Sequence, residues 1–484
     1  MSGSSCFLGL VRRSRLWFLG WTLCGLALRL FCVLQWPADT PDGQLYTELA
    51  HSLLTTGHYL RELHGVLVSS TARLPGYPAF LALVFRLCGD GNLLAVRLAQ
   101  VGVDLATALA VAWLTFLILE EMTGVDQRAK AVRAAFALTA ACPFLAMYTA
   151  AVLTETTAIF CTVLALGCGL MGQRTQHWRW WVGCGAALAA AIQLRPDSGL
   201  LLLLFGARLA LDLIRVMKAG TRRQAGQRLR NLVVLGAVAL APVALWTVRN
   251  AIVLHVFRPL VTTEATEVGE PEYRGFEQWS RTWLASYRGV EDFLANAPGD
   301  RLDASTLPAW AFDSVRQRQQ TLALINEYNR TDQFTPSLDA RFAALARERR
   351  HSHPLRSLLG LPLARAASLW FSPRLEFMPM DDHWWPPRVW WQNDPHDFSF
   401  TTLWMGLNLL LIGLGVWGLA AGRPAEWRFW LLFLLARTAM LAFLGTCEPR
   451  YTLETYPLLL VWGACALAGV RRSAPRSERE AVVA

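Results

Sequence analysis

Charge is scarce in this chain. Asp, Glu, Lys and Arg make up 17% of its 484 residues, where soluble domains carry about 25%. An ordinary soluble fold is thereby excluded. In place of charge stand apolar residues, 54% of the total, with a mean hydropathy of +0.31. They fall in blocks of roughly 17–25, the length a helix needs to cross the hydrocarbon core. Lipid offers no partner to a backbone amide, so spans of this length must be helical. The expectation is an all-α polytopic membrane protein with about 10 transmembrane helices, within a range of roughly 9–12.

Other absences narrow the function. The ten cysteines form no framework: there is no CxxC, and Cys24, Cys32, Cys142, Cys161, Cys168, Cys184 and Cys465 sit in or beside apolar runs. Neither a zinc site nor a disulfide scaffold is supported, and thiols acting as small hydrophobes fit better. No small-residue cleavage site follows the apolar run from Leu16 to Trp36. That run is also too long for a signal-peptide core, so it reads as an uncleaved first span. No internal repeat is visible, which counts against an inverted-repeat transporter. The net charge of +10 does not point to nucleic acid, because the basic residues cluster beside the spans, where the positive-inside rule places them.

With Arg12, Arg13 and Arg15 on the cytoplasmic side, the spans read 16–36, 92–119, 133–150, 155–172, 180–194, 198–214, 231–253, 401–421, 428–446 and 455–470. Arg215, Lys218, Arg222, Arg223, Arg228 and Arg230 then fall on the cytoplasmic side, as do both termini. The chain is thus organised as an N-terminal transmembrane module over 1–253, with a first extracytoplasmic loop at 37–91. An extracytoplasmic region over 254–400, C-terminal spans over 401–470 and a basic tail over 471–484 follow. Within the first loop, the Leu spacing of Tyr46–Leu60 suits a helix lying on the membrane. The region 254–400 is too long for a plain loop and is expected to be a small mixed domain with surface helices. Leu355–Phe371, which carries Arg356 and Arg365, is expected to lie on the outer surface.

Few polar residues sit where chemistry at a membrane surface could use them. Asp42 follows Pro41 just beyond the first span; it could end a helix, or act as a general base toward a hydroxyl. Arg73, in Arg73-Leu-Pro-Gly-Tyr-Pro78, could be a snorkelling side chain or a guanidinium fork for phosphate on a stiffened backbone. Glu155 stands alone in the nearly uncharged stretch from Phe136 to Leu170, where a carboxylate is costly without a partner or a wet cavity. Asp104 lies about two turns from Arg97 on one face, which suggests a structural pair. Arg195 and Asp197 flank Pro196 as a local ion pair, and Arg249-Asn250 ends a span as an interfacial anchor. Arg450-Tyr451 lies in a late outer turn, near Glu448 and Glu454. Trp384, Trp385, Trp390 and Trp391 read as an interfacial belt or a platform for sugars.

The set resembles the GT-C membrane glycosyltransferases, in the bacterial branch related to the aminoarabinose lipid A transferases, the protein O-mannosyltransferases and the RgtA/B/C/D-like sugar transferases. The resemblance rests on Asp42 with Tyr46 and Ala50, Gly57-His58-Tyr59, Arg73 to Leu83, Arg97-Leu98-Ala-Gln100, Leu153-Thr154-Glu155, Arg195-Pro196, Arg249-Asn250 and Glu448-Pro-Arg450-Tyr451. It covers about residues 16–255 well and 400–470 loosely; 256–400 matches no known pattern.

The resemblance implies a GT-C type bundle and a polyprenyl-phosphate-linked sugar as donor. It implies inverting transfer of one sugar, on the extracytoplasmic face of the inner (plasma) membrane, to a glycan, lipid or protein acceptor. By position it makes Asp42 and Glu155 catalytic. Arg73 and Arg450 hold the donor phosphate, and Tyr46, Tyr77, Tyr451, Arg195 and Arg249 contact substrate. Many relatives carry a second acid directly after the first; here Gly43 follows Asp42. No metal ligands are assigned, although Asp42 and Glu155 could share a divalent ion if they converge. The alternatives are a lipid-diphosphate polysaccharide ligase or polymerase using Arg374, His383 and Arg388, a transporter or flippase, and a catalytically idle scaffold of the same fold.

Overall fold

The computed structural model describes residues 3–63, 65–120, 122–261, 267–268, 270, 273–294, 297, 299–380, 387–445 and 447–471. Its helices are α1 (Gly3–Arg13), α2 (Arg15–Gln35), α3 (Pro41–Thr56), α4 (Gly76–Cys88), α5 (Leu93–Leu119), α6 (Val125–Ala140), α7 (Pro143–Ala146), α8 (Glu155–Thr175), α9 (Trp178–Leu194), α10 (Gly199–Lys218) and α11 (Arg222–Val253). They continue with α12 (Arg274–Ser280), α13 (Tyr287–Asp292), α14 (Val315–Thr331), α15 (Pro336–Ser352), α16 (Leu361–Phe371), α17 (Pro387–Asn393), α18 (Pro395–Gly422), α19 (Trp427–Leu444) and α20 (Tyr456–Leu467). Among the described residues the only sheet is an antiparallel hairpin of β1 (Leu60–Leu63) and β2 (Val66–Ser69). The expected all-α polytopic fold is therefore observed. Two compact units form it: Met1–Leu260 with Leu375–Phe433 and Leu453–Ala484, and Val261–Arg374 with Leu434–Thr452.

All ten apolar segments read from the sequence are helical. Among the described residues, six helices are long and apolar enough to cross a membrane unaided: α2, α5, α8, α11, α18 and α19. Three others fall short. α9 and α20 are shorter, and α10 carries Arg208, Asp212, Arg215 and Lys218. The remaining segment, read as an unbroken span over 133–150, is in fact broken. Val125–Ala140 and Pro143–Thr149 are together long and apolar enough to cross a membrane but meet at 47°. Pro143 is the cause: it has no N–H to give the carbonyl four residues back and its ring crowds the preceding turn.

The first unit heals that break with a buried arginine from α2. Arg29 Nη1 donates to Ala140 O at 2.6 Å and Nη2 to Thr139 O at 3.3 Å. Both carbonyls lie at the end of α6, where that of Thr139 also accepts from Cys142 N at 3.3 Å, and a cation suits the negative end of a helix. Asp104 of α5 balances the charge, with Oδ2 2.7 Å from Arg29 Nε and 2.5 Å from Nη2. Both side chains are buried. The expected Arg97–Asp104 pair is thus corrected. Seven residues put the two on one stripe but about 10 Å apart along the axis. Arg97 instead donates to Asp39 at 2.8 Å and to Ala150 O at 2.9 Å.

Glycine sets the packing of α18 on α20. A Cβ at Gly418 would lie 1.7 Å from Trp462 O, and one at Gly415 would lie 3.0 Å from Leu459 O. Small residues spaced in this way let two helix backbones touch in lipid. Gly418→Ala should therefore lower the midpoint of thermal unfolding in detergent, because a clash with backbone cannot be relieved by a rotamer change. Overpacking of this kind costs about 1–3 kcal/mol or more, and an unchanged midpoint would contradict the contact.

The second unit was expected to be mixed, yet its described residues contain helices and no strand. Its core gathers Phe276, Trp279, Trp283, Phe293, Tyr328, Phe334 and Phe342. Arg349 is buried beside them, giving hydrogen bonds to Thr282 Oγ1, Gln317 Oε1 and Trp310 O at 2.8, 2.8 and 3.0 Å. Burial pulls its pKa down to about 10, against the pull of Asp313. The stretch 355–371 is a π-helical turn, Arg356–Gly360, running into α16. Arg365 there is buried on the carbonyls of Leu284, Ala442 and Arg281, and α16 has only 11 residues. Trp384 and Trp385 lie outside the described residues, whereas Trp390 and Trp391 belong to α17.

Candidate active site

The segment between α2 and α5 is built as α3, hairpin and α4. Thr40 caps α3, its Oγ1 accepting from Gly43 N at 3.0 Å, and Pro41 opens the first turn. A helix was expected over Tyr46–Leu60; it starts five residues earlier because of this cap and stops at Gly57, whose φ of 72° suits only glycine well. Asp42 therefore sits in the first turn of a helix, where exposed N–H groups favour an anion.

Arg73 meets it. Nη2 of Arg73 lies 2.5 Å from Asp42 Oδ1, and Nη1 donates to Ala72 O at 2.9 Å. Both side chains keep partial access to solvent, 21% for Arg73 and 30% for Asp42. The backbone behind Arg73 is fixed by Tyr59, whose hydroxyl donates to the carbonyls of Arg73 and Leu74 at 3.2 and 3.3 Å. Gly76 lets α4 press on α9, since a Cβ there would lie 2.6 Å from Gln193 O.

Beneath the ion pair lies Tyr46, one turn after Asp42 and buried. Its ring is 5.0 Å from that of Tyr77 in a T-shaped contact, and Arg73 lies 5.9 Å over it. Burial pushes the Tyr46 hydroxyl up to about 12, with Arg73 pulling down and Asp42 and Glu155 pushing up. It stays protonated across any working pH. Tyr77 donates to Gln100 Oε1 at 2.7 Å, and Gln100 Nε2 donates to Ala151 O at 2.8 Å and Thr149 O at 3.2 Å.

Deeper still, Glu155 begins α8 and is buried. Arg195 Nη1 donates to Glu155 Oε1 at 2.8 Å, while its Nε lies 3.0 Å from Glu454 Oε1. The expected local pair with Asp197 is present but longer, at 3.4 Å. Glu454, read from the sequence as a local partner of Arg450, is turned to this cluster instead. Its Oε2 accepts from Ser198 Oγ at 3.0 Å and Thr162 Oγ1 at 3.2 Å. It was missed because the contact joins residues far apart in the chain.

Arg249 is more than an interfacial anchor. It donates to Ser70 O at 2.9 Å and Tyr59 O at 3.2 Å, at the base of the hairpin, and lies 5.0 Å over the Trp246 ring. An apolar groove of about 400 Å³ runs beside it, walled by Pro75, Ala79, Pro242, Leu245 and Trp246. Arg450 and Tyr451 lie in the second unit. There Arg450 pairs with Glu448 at 2.5 Å and stacks on Tyr451 at 5.1 Å. Arg374, also in that unit, is buried on Pro449 O, Leu369 O and Thr452 Oγ1; Arg388 is in α17, and His383 lies outside the described residues. Among the described residues, no three His, Cys, Asp or Glu side chains converge as a metal site would need.

A carboxylate in the first turn of a helix, paired with an arginine two residues before the groove-lining Pro75, suits a membrane enzyme acting on a lipid-borne anion. Residues 72–246 match the family model described as dolichyl-phosphate-mannose-protein mannosyltransferase. Over those residues the resemblance to membrane glycosyltransferases is borne out. The structure is similar to that of ArnT from Cupriavidus metallidurans in the apo state, with 16% identity and a TM-score of 0.39, over 94% of this chain and 78% of that one. For the same protein bound to undecaprenyl phosphate the values are 15%, 0.36, 94% and 77%. The archaeal oligosaccharyltransferase AglB from Archaeoglobus fulgidus, in complex with an inhibitory peptide and a dolichol phosphate, is similar at 10% identity and a TM-score of 0.46, over 94% of this chain and 50% of that one. No curated protein matches the chain.

Proposed function

We propose that this protein is a multi-pass membrane glycosyltransferase that moves one sugar from a polyprenyl-phosphate donor to an acceptor hydroxyl on the extracytoplasmic face of the inner membrane. The observation that carries this reading is the 2.5 Å contact of Asp42 with Arg73, set beside an apolar groove able to take an isoprenoid chain. The acceptor oxygen attacks the anomeric carbon from the side opposite the phosphate. Its proton passes to an Asp42 carboxylate oxygen. The bond from the anomeric carbon to the phosphate oxygen breaks, its electron pair stays on the phosphate, and the sugar is inverted. Arg73 stabilises the charge that collects on the departing phosphate. In the resting protein Arg73 also holds Asp42; an arriving phosphate competes for the guanidinium and leaves the carboxylate open to the acceptor.

Glu155, Arg195 and Glu454 give this centre a rigid floor under Tyr46. Arg249 borders the groove at the hairpin base, where it can meet the phosphate.

The test is release of free undecaprenyl phosphate by purified protein in nanodiscs, given a panel of undecaprenyl-phosphate sugars and an envelope extract as acceptor. One donor should be consumed. Arg73→Ala should slow that turnover by about 10²–10³-fold, the loss typical of one transition-state charge contact. Arg73→Lys should recover only part, because a point charge lacks the planar fork. Consumption of none of the donors would sink the reading in favour of a diphosphate-linked ligase or a transporter.

A further inference from the structure

The centre described above uses one face of α3, and the opposite face of that helix lines a cleft of its own. Asp42 and Tyr46 point toward Arg73 and Tyr77. At 100° per residue, Gly43, Gln44, Thr47, Glu48 and His51 fall on the far side. They form one wall of a cleft of about 540 Å³, within the range of about 300–1,000 Å³ for small-molecule sites. Asp90, Gly91 and Leu93 face them, and Asp39, Thr40 and Val152 close the end nearest the first turn of α3. The cleft therefore begins beside the turn that carries Asp42 and runs away from it along the helix.

Its chemistry is uneven in a telling way. The floor is apolar at Leu93, Val152 and the glycines, and the rim carries amide, hydroxyl, imidazole and carboxylate groups. Such a surface takes the faces of sugar rings below and their hydroxyls at the edge. The charge is mainly negative: Asp39, Glu48 and Asp90 line it, with His51 Nδ1 2.5 Å from Asp90 Oδ2 and Arg97 offsetting Asp39. A phosphate-bearing chain would meet repulsion there, whereas a neutral one would not.

We propose that this cleft is a distal acceptor subsite, holding the preceding sugars of an uncharged oligosaccharide while its terminal hydroxyl crosses the first turn of α3 to reach Asp42. The proposal rests on the glycosyltransferase reading and narrows it. A helix with its side chains is about 10–12 Å across, so a single sugar cannot occupy both places. The acceptor must be an oligosaccharide, and neither a phosphorylated lipid headgroup nor a polypeptide is the preferred one.

The experiment uses the full-length protein in nanodiscs, a radiolabelled donor, and envelope oligosaccharides separated by charge and length. Donor turnover in water alone, without acceptor, is measured first, because it reports the transferase reading by itself. Label is then expected in neutral oligosaccharides, rising with length over the first few residues. Gln44→Arg, at an exposed helix position in the cleft wall, should raise the acceptor KM about tenfold with a much smaller effect on kcat. Asp90→Asn should act in the same direction. Donor turnover with the label on a phosphorylated lipid or a polypeptide, or with no dependence on acceptor length, overturns the subsite and leaves the enzyme class standing. No donor turnover under any condition overturns both.

Discussion

Asp42→Asn is expected to slow sugar transfer by about 10²–10⁴-fold, the range a positioned general base contributes. The substitution keeps size and most hydrogen-bonding geometry, so the protein should fold. It removes the only step for which a neutral amide has no substitute, taking the acceptor proton. One further result would identify the loss as one of chemistry. Donor binding, followed by competition with undecaprenyl phosphate, should be little altered or somewhat tighter, because Arg73 loses its rival for the phosphate. Tyr46 cannot take over as base, since burial holds its hydroxyl near 12. A transfer rate within a few-fold of the unsubstituted protein would remove Asp42 from the mechanism.

The largest stability effect should come from the opposite end of the argument, at Arg29. Arg29→Ala strands the Asp104 carboxylate, 1% exposed, and takes from Ala140 O the guanidinium donor at 2.6 Å. Breaking a buried pair from one side costs about 3–5 kcal/mol. The yield of folded protein after detergent extraction should fall sharply, with thermal unfolding well below that of the parent. Asp104→Asn added to Arg29→Ala should regain part of the loss, because the stranded charge is gone while the Ala140 carbonyl stays unserved. Equal stability of single and double variants would argue that the two residues do not interact.

These two sites differ in how far the sequence revealed them. Asp42 and Arg73 share one loop between two long apolar blocks, and their residue types suit a base and a phosphate ligand; their meeting needed only a short closure. The helical character of every apolar block followed from length alone. What escaped was whatever depended on contacts between distant segments. Arg97 and Asp104 sat at helical spacing, and spacing gives the face of a helix but not the height, so each took a partner from another element. Glu454 had plausible neighbours in sequence and went instead to Arg195. Pro143 carried a visible signal for a break, overridden by the apolar run around it. The hairpin at Leu60–Ser69 had short β-branched and apolar stretches around Gly65, but pattern over so few residues does not separate strand from loop.

The broken third span has a consequence for how the chain enters the bilayer. α2, Arg15–Gln35, emerges from the ribosome with Arg29 in its second half and nothing to neutralise it. An arginine at a helix centre opposes insertion by about 2.5–3.5 kcal/mol, and one nearer an end by less. Its counter-ion is 75 residues downstream at Asp104, and the carbonyls that complete its shell come later still, at Thr139 and Ala140. Alone, α2 is thus a weak anchor, and the packing of α5 and α6 against it is what makes its buried arginine tolerable in the membrane.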